Sequence, residues 1–481
     1  MDRLVQAGCL AVTVMLGAVG SQAAMAAGQD TTGMAPAGTG AGGPFGFLAN
    51  TEKSAALLGP MWGVRPWLSQ YGVTLNILET SEVLGNVTGG FRRGFEYDGL
   101  TTVDVQLDTM RAFGLYGGTF NVSGLQYHGR NLSADNLGTL QTASGIEAER
   151  ATRLWELWYD QKFLEEDRLD VKIGQQSLDQ EFMVSSNALL FVNTMFGWPM
   201  VPSADMPGGG PAYPLSAPGL RLRVRPNDSL TFLAGVFNGS PALSNNGDSQ
   251  QLNRTGTSFP LNGGALAIAE MQYAFPPTGA MTAPGERAPL QGVYKLGVWY
   301  DTEQFPDQRF DNTGLSLANP VTTGIPKMHR GNWSIYGVAD QMVWQDPDDD
   351  GHNVYLFARA MGTPQTDRNL IDFSLNLGLT VHTPFPKRSA DTFGVGLGVA
   401  HVSPRAAALD RDTEIFTGAF TPPQGTETFV EVTYSYAVAP WLSVQPDFQY
   451  VFNPGGGIPN LAGTAKVKDE AVFGVRANIL F

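Results

Sequence analysis

From residue 73 to the end, the chain repeats one pattern: a large apolar side chain at every second position, with small or polar ones between. Asp372-Phe373-Ser374-Leu375-Asn376-Leu377-Gly378-Leu379-Thr380-Val381 is the clearest stretch. A strand turns successive side chains to opposite faces, so a period of two is strand spacing. Val430, Val432, Tyr434 and Tyr436 share one face against Glu431, Thr433 and Ser435, and Val103, Val105 and Leu107 oppose Thr102, Asp104, Gln106 and Asp108. These second faces carry too much charge for a dry core. In Gly219 to Arg225 the alternation sets Arg221, Arg223 and Arg225 on one side of a single strand.

The pattern predicts sixteen strands, near 73–84, 100–110, 117–128, 152–162, 168–176, 218–226, 229–238, 265–275, 292–301, 332–345, 352–361, 369–382, 392–402, 427–438, 441–453 and 470–481. Long and short connections mostly alternate: 85–99 then 111–116, 129–151 then 163–167, 177–217 then Asn227-Asp228, and 403–426 then Ala439-Pro440. The short 362–368 and the longer 276–291 break that rhythm. An even number of strands with long loops at one end and tight turns at the other is the connectivity of an outer-membrane barrel, apolar outside and polar inside. The expected fold is all-β, a sixteen-stranded antiparallel transmembrane β-barrel, wide enough to hold an aqueous channel. Phe473, Val475, Ala477, Ile479 and Phe481 face one way, and a final aromatic on such a strand suits recognition by the outer-membrane assembly machinery.

Composition supports the same class. Beyond the N-terminus no run reaches the roughly 20 apolar residues that a spanning helix needs. The net charge of -15 leaves no surplus of cations for a nucleic-acid backbone. Residues 1–26 read as a signal peptide, with Arg3, an apolar stretch from Ala7 to Val19 and a small-x-small site at Ala24-Met25-Ala26. A Gly/Ala/Pro-rich leader follows over 27–50, and the barrel domain over 51–481. The single cysteine, Cys9, falls in the signal, so the expected mature chain has no disulfide, no thiolate zinc site and no thiol nucleophile.

Several blocks resemble the OprB-type carbohydrate-selective porin family: Ser123-Gly124-Leu125-Gln126-Tyr127-His128-Gly129, Arg153 through Tyr159, Ile173-Gly174-Gln175-Gln176-Ser177 with Asp179-Gln180-Glu181-Phe182, Val338-Ala339-Asp340-Gln341-Met342, and Pro440 through Gly457. The resemblance runs from about residue 47 to the C-terminus; at Trp62-Gly63-Val64-Arg65 the chain lacks the second Gly usual before the Arg. It implies an outer-membrane pore for passive diffusion of sugars such as glucose, with mono- and oligosaccharides as solutes and loops folded inward to narrow it. Loop 177–217 is the expected constriction, joined by 129–151. Both a monomer and a homotrimer are compatible with the sequence.

The candidate pore-lining residues follow from chemistry. Arginines at mid-bilayer cost roughly 2–4 kcal/mol each on the lipid side, which sends Arg221, Arg223 and Arg225 to the lumen, where they either meet solute or pair with acids. Glu156, Asp160, Asp179 and Glu181 are acceptors for sugar hydroxyls. Trp158 shares a face with Glu156 and Asp160 and offers either a stacking surface for a sugar ring or an interfacial anchor. Trp198, in the longest loop, is expected to face the pore. No metal site and no cofactor is expected: the five histidines are scattered, Asp346-Pro347-Asp348-Asp349-Asp350-Gly351 reads as a tight turn because a calcium loop would need Glu where Phe357 stands, and Gly394, Gly396 and Gly398 form the small face of a strand. A general or anion-preferring porin is the alternative function; a barrel hydrolase or an adhesin stands further off.

Overall fold

A computed structural model describes residues 54–243, 247–261, 263–278, 289–349 and 351–481. The proposed signal and leader lie outside them. Sixteen strands occur: β1 (Val73–Thr88), β2 (Gly94–Asp108), β3 (Gly118–Gly129), β4 (Thr152–Phe163), β5 (Leu169–Gln176), β6 (Ala217–Val224), β7 (Leu230–Asn238), β8 (Ala265–Phe275), β9 (Gly292–Asp311), β10 (Pro326–Gln345), β11 (Asn353–Gly362), β12 (Ile371–His382), β13 (Thr392–Val402), β14 (Thr426–Ala439), β15 (Leu442–Phe452) and β16 (Glu470–Leu480). Each pairs antiparallel with its neighbours in sequence, and β1 pairs with β16, Leu78 opposite Leu480, so the barrel closes and no edge remains.

The alternation sorts side chains as the sequence predicts. On β6, Leu220 is 45% and Leu222 36% exposed on the outer wall, while Arg221 between them is 2% exposed. Leu157, Ile173, Val236, Leu296, Leu377 and Val475 continue the apolar exterior. No helix among the described residues is long and apolar enough to cross a membrane. A bulge in β4 opposite Ser123 and Gly124 sends Arg153 and Trp155 inward along with Glu156, Trp158 and Asp160.

Several boundaries move for physical reasons. The long first connection expected at 85–99 shrinks to 89–93, because β1 and β2 stay paired up to Asn86 and Gly94. β2 stops at Asp108, whose carboxylate caps the next turn by accepting from the N–H groups of Met110 (2.8 Å) and Arg111 (3.2 Å). β9 and β10 run on past the wall as a projecting hairpin. The connection after β13 holds a helix, Pro404–Thr417, capped by Ser403, whose Oγ accepts from the Ala406 N–H at 3.3 Å.

Candidate functional site

Two connections, 177–216 between β5 and β6 and 130–151 between β3 and β4, pack against the polar inner face. Segment 177–216, between β5 and β6, lies inside the lumen and has its own hydrophobic centre: Phe182, Met183, Phe191, Phe196, Trp198, Met200 and Tyr213 are all buried. Its aromatics sit on the glycine face of β13, where a Cβ at Gly396 would collide with the Phe196 ring. Phe196 also meets Phe357 and Phe429, edge to face, at 5.8 and 5.4 Å.

Wall carboxylates hold the loop by its backbone. Glu431 accepts from the N–H groups of Val192 (2.6 Å) and Asn193 (3.0 Å). Glu270 accepts from Met183 N–H at 2.8 Å, and Asp340 from Ser185 Oγ at 2.7 Å and Asn187 Nδ2 at 2.9 Å. Opposite in sign, Arg359 donates to the carbonyls of Met183 (2.9 Å), Gly197 (2.7 Å) and Phe196 (3.0 Å) and to that of Met195. Segment 130–151 is held in the same way: Glu427 takes the N–H groups of Leu140 (2.8 Å) and Gln141 (2.7 Å), and that of Gly455 (2.6 Å). The two loops touch where Thr194 N–H donates to Thr142 O at 3.1 Å. Charge-assisted bonds to otherwise unpaired loop amides are strong, so both loops are built into the wall.

Of the expected lining residues, seven fall on the inner side of β4, β5 and β6 or in the loop beside them. Arg221 is buried against Asp170, Asp160 (3.7 Å) and Glu181 (2.7 Å). Arg223, a third exposed, shares Asp170 at 2.5 Å. Lys172, which the sequence reading passed over, pairs with Glu181 and lies 4.4 Å over the Trp158 ring. Trp158 donates to Glu156 at 3.2 Å, and Glu156 accepts Ser177 N–H at 2.9 Å. Asp179 is buried, accepting from Ser177 Oγ and from Tyr213 N–H at 3.3 Å.

Two residues do not join this ladder. Arg225 turns to the end of the barrel, where its guanidinium donates to the carbonyls of Glu166 (2.7 Å) and Asp167 (2.9 Å). Trp198, expected at the pore, is wholly buried, its indole N–H bonded to Gly209 O at 3.0 Å. A loop long enough to form its own core takes its largest apolar side chain as the centre of that core. The missed anchors, Glu270, Asp340, Arg359, Glu427 and Glu431, were visible as charges on strand faces; Asp340 stood in a quoted block.

At one mouth the helix 404–417 is clamped to the projecting hairpin by Arg309, which meets Asp412 in two bonds of 2.7 and 2.8 Å. That pairing holds the Asp412 carboxyl below its ordinary range, with burial acting the other way. Among the described residues no cluster of histidine and carboxylate ligands fit for a metal ion occurs.

The comparisons agree with this geometry. The description "Carbohydrate-selective porin, OprB family" matches residues 92–481. Porin B of Pseudomonas aeruginosa is 26% identical over 453 residues, covering 90% of this chain and 93% of that protein. A putative porin, QuiX, of Acinetobacter baylyi is 23% identical over 449 residues, 88% of this chain and 93% of that one. The high-pH structure of Pseudomonas putida OprB superposes with a TM-score of 0.76 at 25% identity, covering 89% of this chain and 99% of that one. A closed sixteen-stranded barrel with a polar lumen, matched by one family over most of its length, is an outer-membrane porin, and the chain belongs to the carbohydrate-selective porin, OprB family.

Proposed function

We propose that this porin passes neutral sugars by passive diffusion through a constriction that segments 177–216 and 130–151 form against the β4–β6 wall. The observation that carries this reading is the side-by-side placement of Trp158, Lys172, Glu181 and Arg223 on the inner wall next to the tethered loop. Hydroxyl groups need donors and acceptors in one narrow strip, and an indole supplies an apolar face for a sugar ring. Most of the charge here is already paired. A strip of paired charges presents hydrogen bonds to a neutral solute without a strong net field, which suits sugars better than ions.

Swelling of liposomes that contain the porin, with neutral sugars, sugar acids and amino acids of similar size, tests the reading. Faster sugar entry, lowered towards the amino-acid rate by Trp158→Ala, is the expected result. Equal rates for all three solute classes would overturn it. In the same reading, the connections 130–151, 177–216 and 239–264 face the exterior and the turns at 225–229 and 440–441 face the periplasm. A membrane-impermeant thiol label on intact cells should leave Asp228→Cys unlabelled.

A further inference from the structure

On β3 and β4 the outer wall changes character towards the end that carries the long connections. Its outward residues run from Phe120, Val122 and Leu157, all exposed and apolar, to Gln126, His128 and Thr152, and then to Arg130 and Arg150 just beyond the strands. Gln126 stands opposite Thr152 in the strand register. Arg254 joins them from the connection 239–264. β4 pairs with β5 only from Leu157 onward, and before that point its free edge is taken by this connection: Leu154 N–H donates to Thr255 O at 3.0 Å, and Gln175 Nε2 to Gly256 O at 2.8 Å. Gly256 lies so close that a Cβ there would strike the Leu154 carbonyl. The stretch that carries Arg254 is thus fixed to the wall.

Arg130, Arg150 and Arg254 border an open cavity of about 620 Å³ that Gln126, His128 and Thr152 also line. Their charge is not spent inside the protein. Arg150 Nε donates to a backbone carbonyl, that of Gly129, at 2.9 Å. The Glu96 carboxylate stands 4.0 Å from Arg130, beyond hydrogen-bond reach. Arg254 is exposed and meets no carboxylate among the described residues. Gln126 and His128 share the outward face of β3 with Val122, so the cavity opens away from the pore and its cations are not placed to act on a passing solute. Guanidinium forks suit phosphate, the amide, imidazole and hydroxyl next to them suit sugar hydroxyls and amides, and the apolar wall beyond suits acyl chains. A phosphorylated glycolipid presents those three chemistries in that order, and basic pockets at membrane-surface height are fit for anionic headgroups.

We propose that this cavity is a binding site for the phosphorylated headgroup of an outer-leaflet glycolipid, with Arg130, Arg150 and Arg254 holding the phosphate. The proposal rests on the exterior position of connections 130–151 and 239–264 given above, which the label on Asp228→Cys tests separately. Native mass spectrometry of the full porin, refolded in detergent free of bacterial lipid, tests the site with three probes: a bisphosphorylated glucosamine-disaccharide lipid, the same lipid stripped of its phosphates, and inorganic phosphate. The phosphorylated lipid should form a discrete adduct, and the other two should not at equal concentration. Arg130→Gln/Arg150→Gln/Arg254→Gln should bind it at least tenfold more weakly. Arg254→Gln alone, which breaks no printed side-chain contact of the wall, should lose several-fold and carries the test if the triple variant does not fold. Arg330→Gln, an exposed arginine on the projecting hairpin, should bind as the unmodified porin does. Absence of the adduct, equal binding of the stripped lipid, or undiminished binding by Arg254→Gln overturns the proposal. Occupancy by inorganic phosphate as tight as by the lipid also overturns it, since the site would then take free anions.

Discussion

Glu431, on the inner face of β14, accepts the Val192 and Asn193 backbone N–H groups at 2.6 and 3.0 Å, so one carboxylate fixes the middle of the loop that narrows the barrel. Glu431→Ala leaves both amides buried without a partner, at about 1–3 kcal/mol each. The barrel ladder is untouched by that change. The expected outcome is a folded channel with larger and noisier single-channel conductance and weaker discrimination among sugars. Planar-bilayer recording checks it, and a conductance equal to that of the unmodified channel would show that the loop does not depend on this anchor.

The glycine face of β13 makes a second, independent test of the same docking. Gly394 and Gly396 lie under Leu190, Phe191 and Phe196, leaving no room for a side chain. Gly396→Val pushes Phe196 out of its seat, an overpacking worth about 1–3 kcal/mol. Protease sensitivity of residues 177–216 should rise while the folded barrel keeps its heat-modifiable mobility on a gel. Gly398→Ala, by contrast, presses on Phe429 of the neighbouring strand and should disturb the wall itself.

Much of the barrel is legible because the membrane enforces a simple rule: every strand must turn apolar residues out, so Leu220 and Leu222 or Leu375 and Leu377 announce their face. All sixteen strands follow from it. Strand ends are less legible where pairing continues beyond the membrane, as in β9 and β10, since no lipid imposes alternation there. The helix after β13 had a readable start in Ser403-Pro404, yet its apolar residues form no strong stripe, and it is docked by two ion pairs with β9, Arg309–Asp412 and Arg405–Asp307. The site was legible as residue types on a face: Arg221, Glu156 and Trp158 are inward as the alternation requires. What each one touches was not. Wall carboxylates that take loop amides, and a tryptophan at the centre of a loop, depend on contacts between residues far apart in sequence, such as Glu431 with Val192.

The clamp on the helix 404–417 predicts an acid response. Asp412 is held below its ordinary value chiefly by the Arg309 bond. A carboxyl depressed in the folded state contributes stability that is complete above its unfolded value, near 4, and is lost as the pH falls through the folded one. The helix should therefore stay protected at pH 7 and at pH 5 and loosen below about pH 4. Hydrogen exchange of the helix amides measures this. Asp412→Asn should raise exchange at pH 7 and remove the contribution of this pair to the acid dependence; an unchanged acid profile would place the sensitive group elsewhere.

Arg221 and Arg223 share Asp170, and their different burial separates a structural charge from an accessible one. Arg221 sits among Asp170, Asp160 and Glu181 and is 2% exposed; in Arg221→Gln, Asp170 keeps Arg223 and Glu181 keeps Lys172, but the buried Asp160 loses its ion pair, and the change should cost about 3–5 kcal/mol. The measurable sign is loss of folded porin on heating. Arg223 is a third exposed to the lumen, and in Arg223→Gln Asp170 keeps Arg221, so the cost should stay near 1 kcal/mol. Removing an accessible cation from a narrow low-dielectric wall lowers the local positive potential more than the overall charge of -15 suggests, because the nearest charges set the field inside it. Arg223→Gln should thus shift the reversal potential in a salt gradient towards cations. Arg225→Gln, whose side chain ties down the turn after Phe163, should leave the reversal potential unchanged. Equal shifts from Arg223 and Arg225 would mean that the ladder acts on ions as one stripe, with no distinction between its paired, open and turn-bound members.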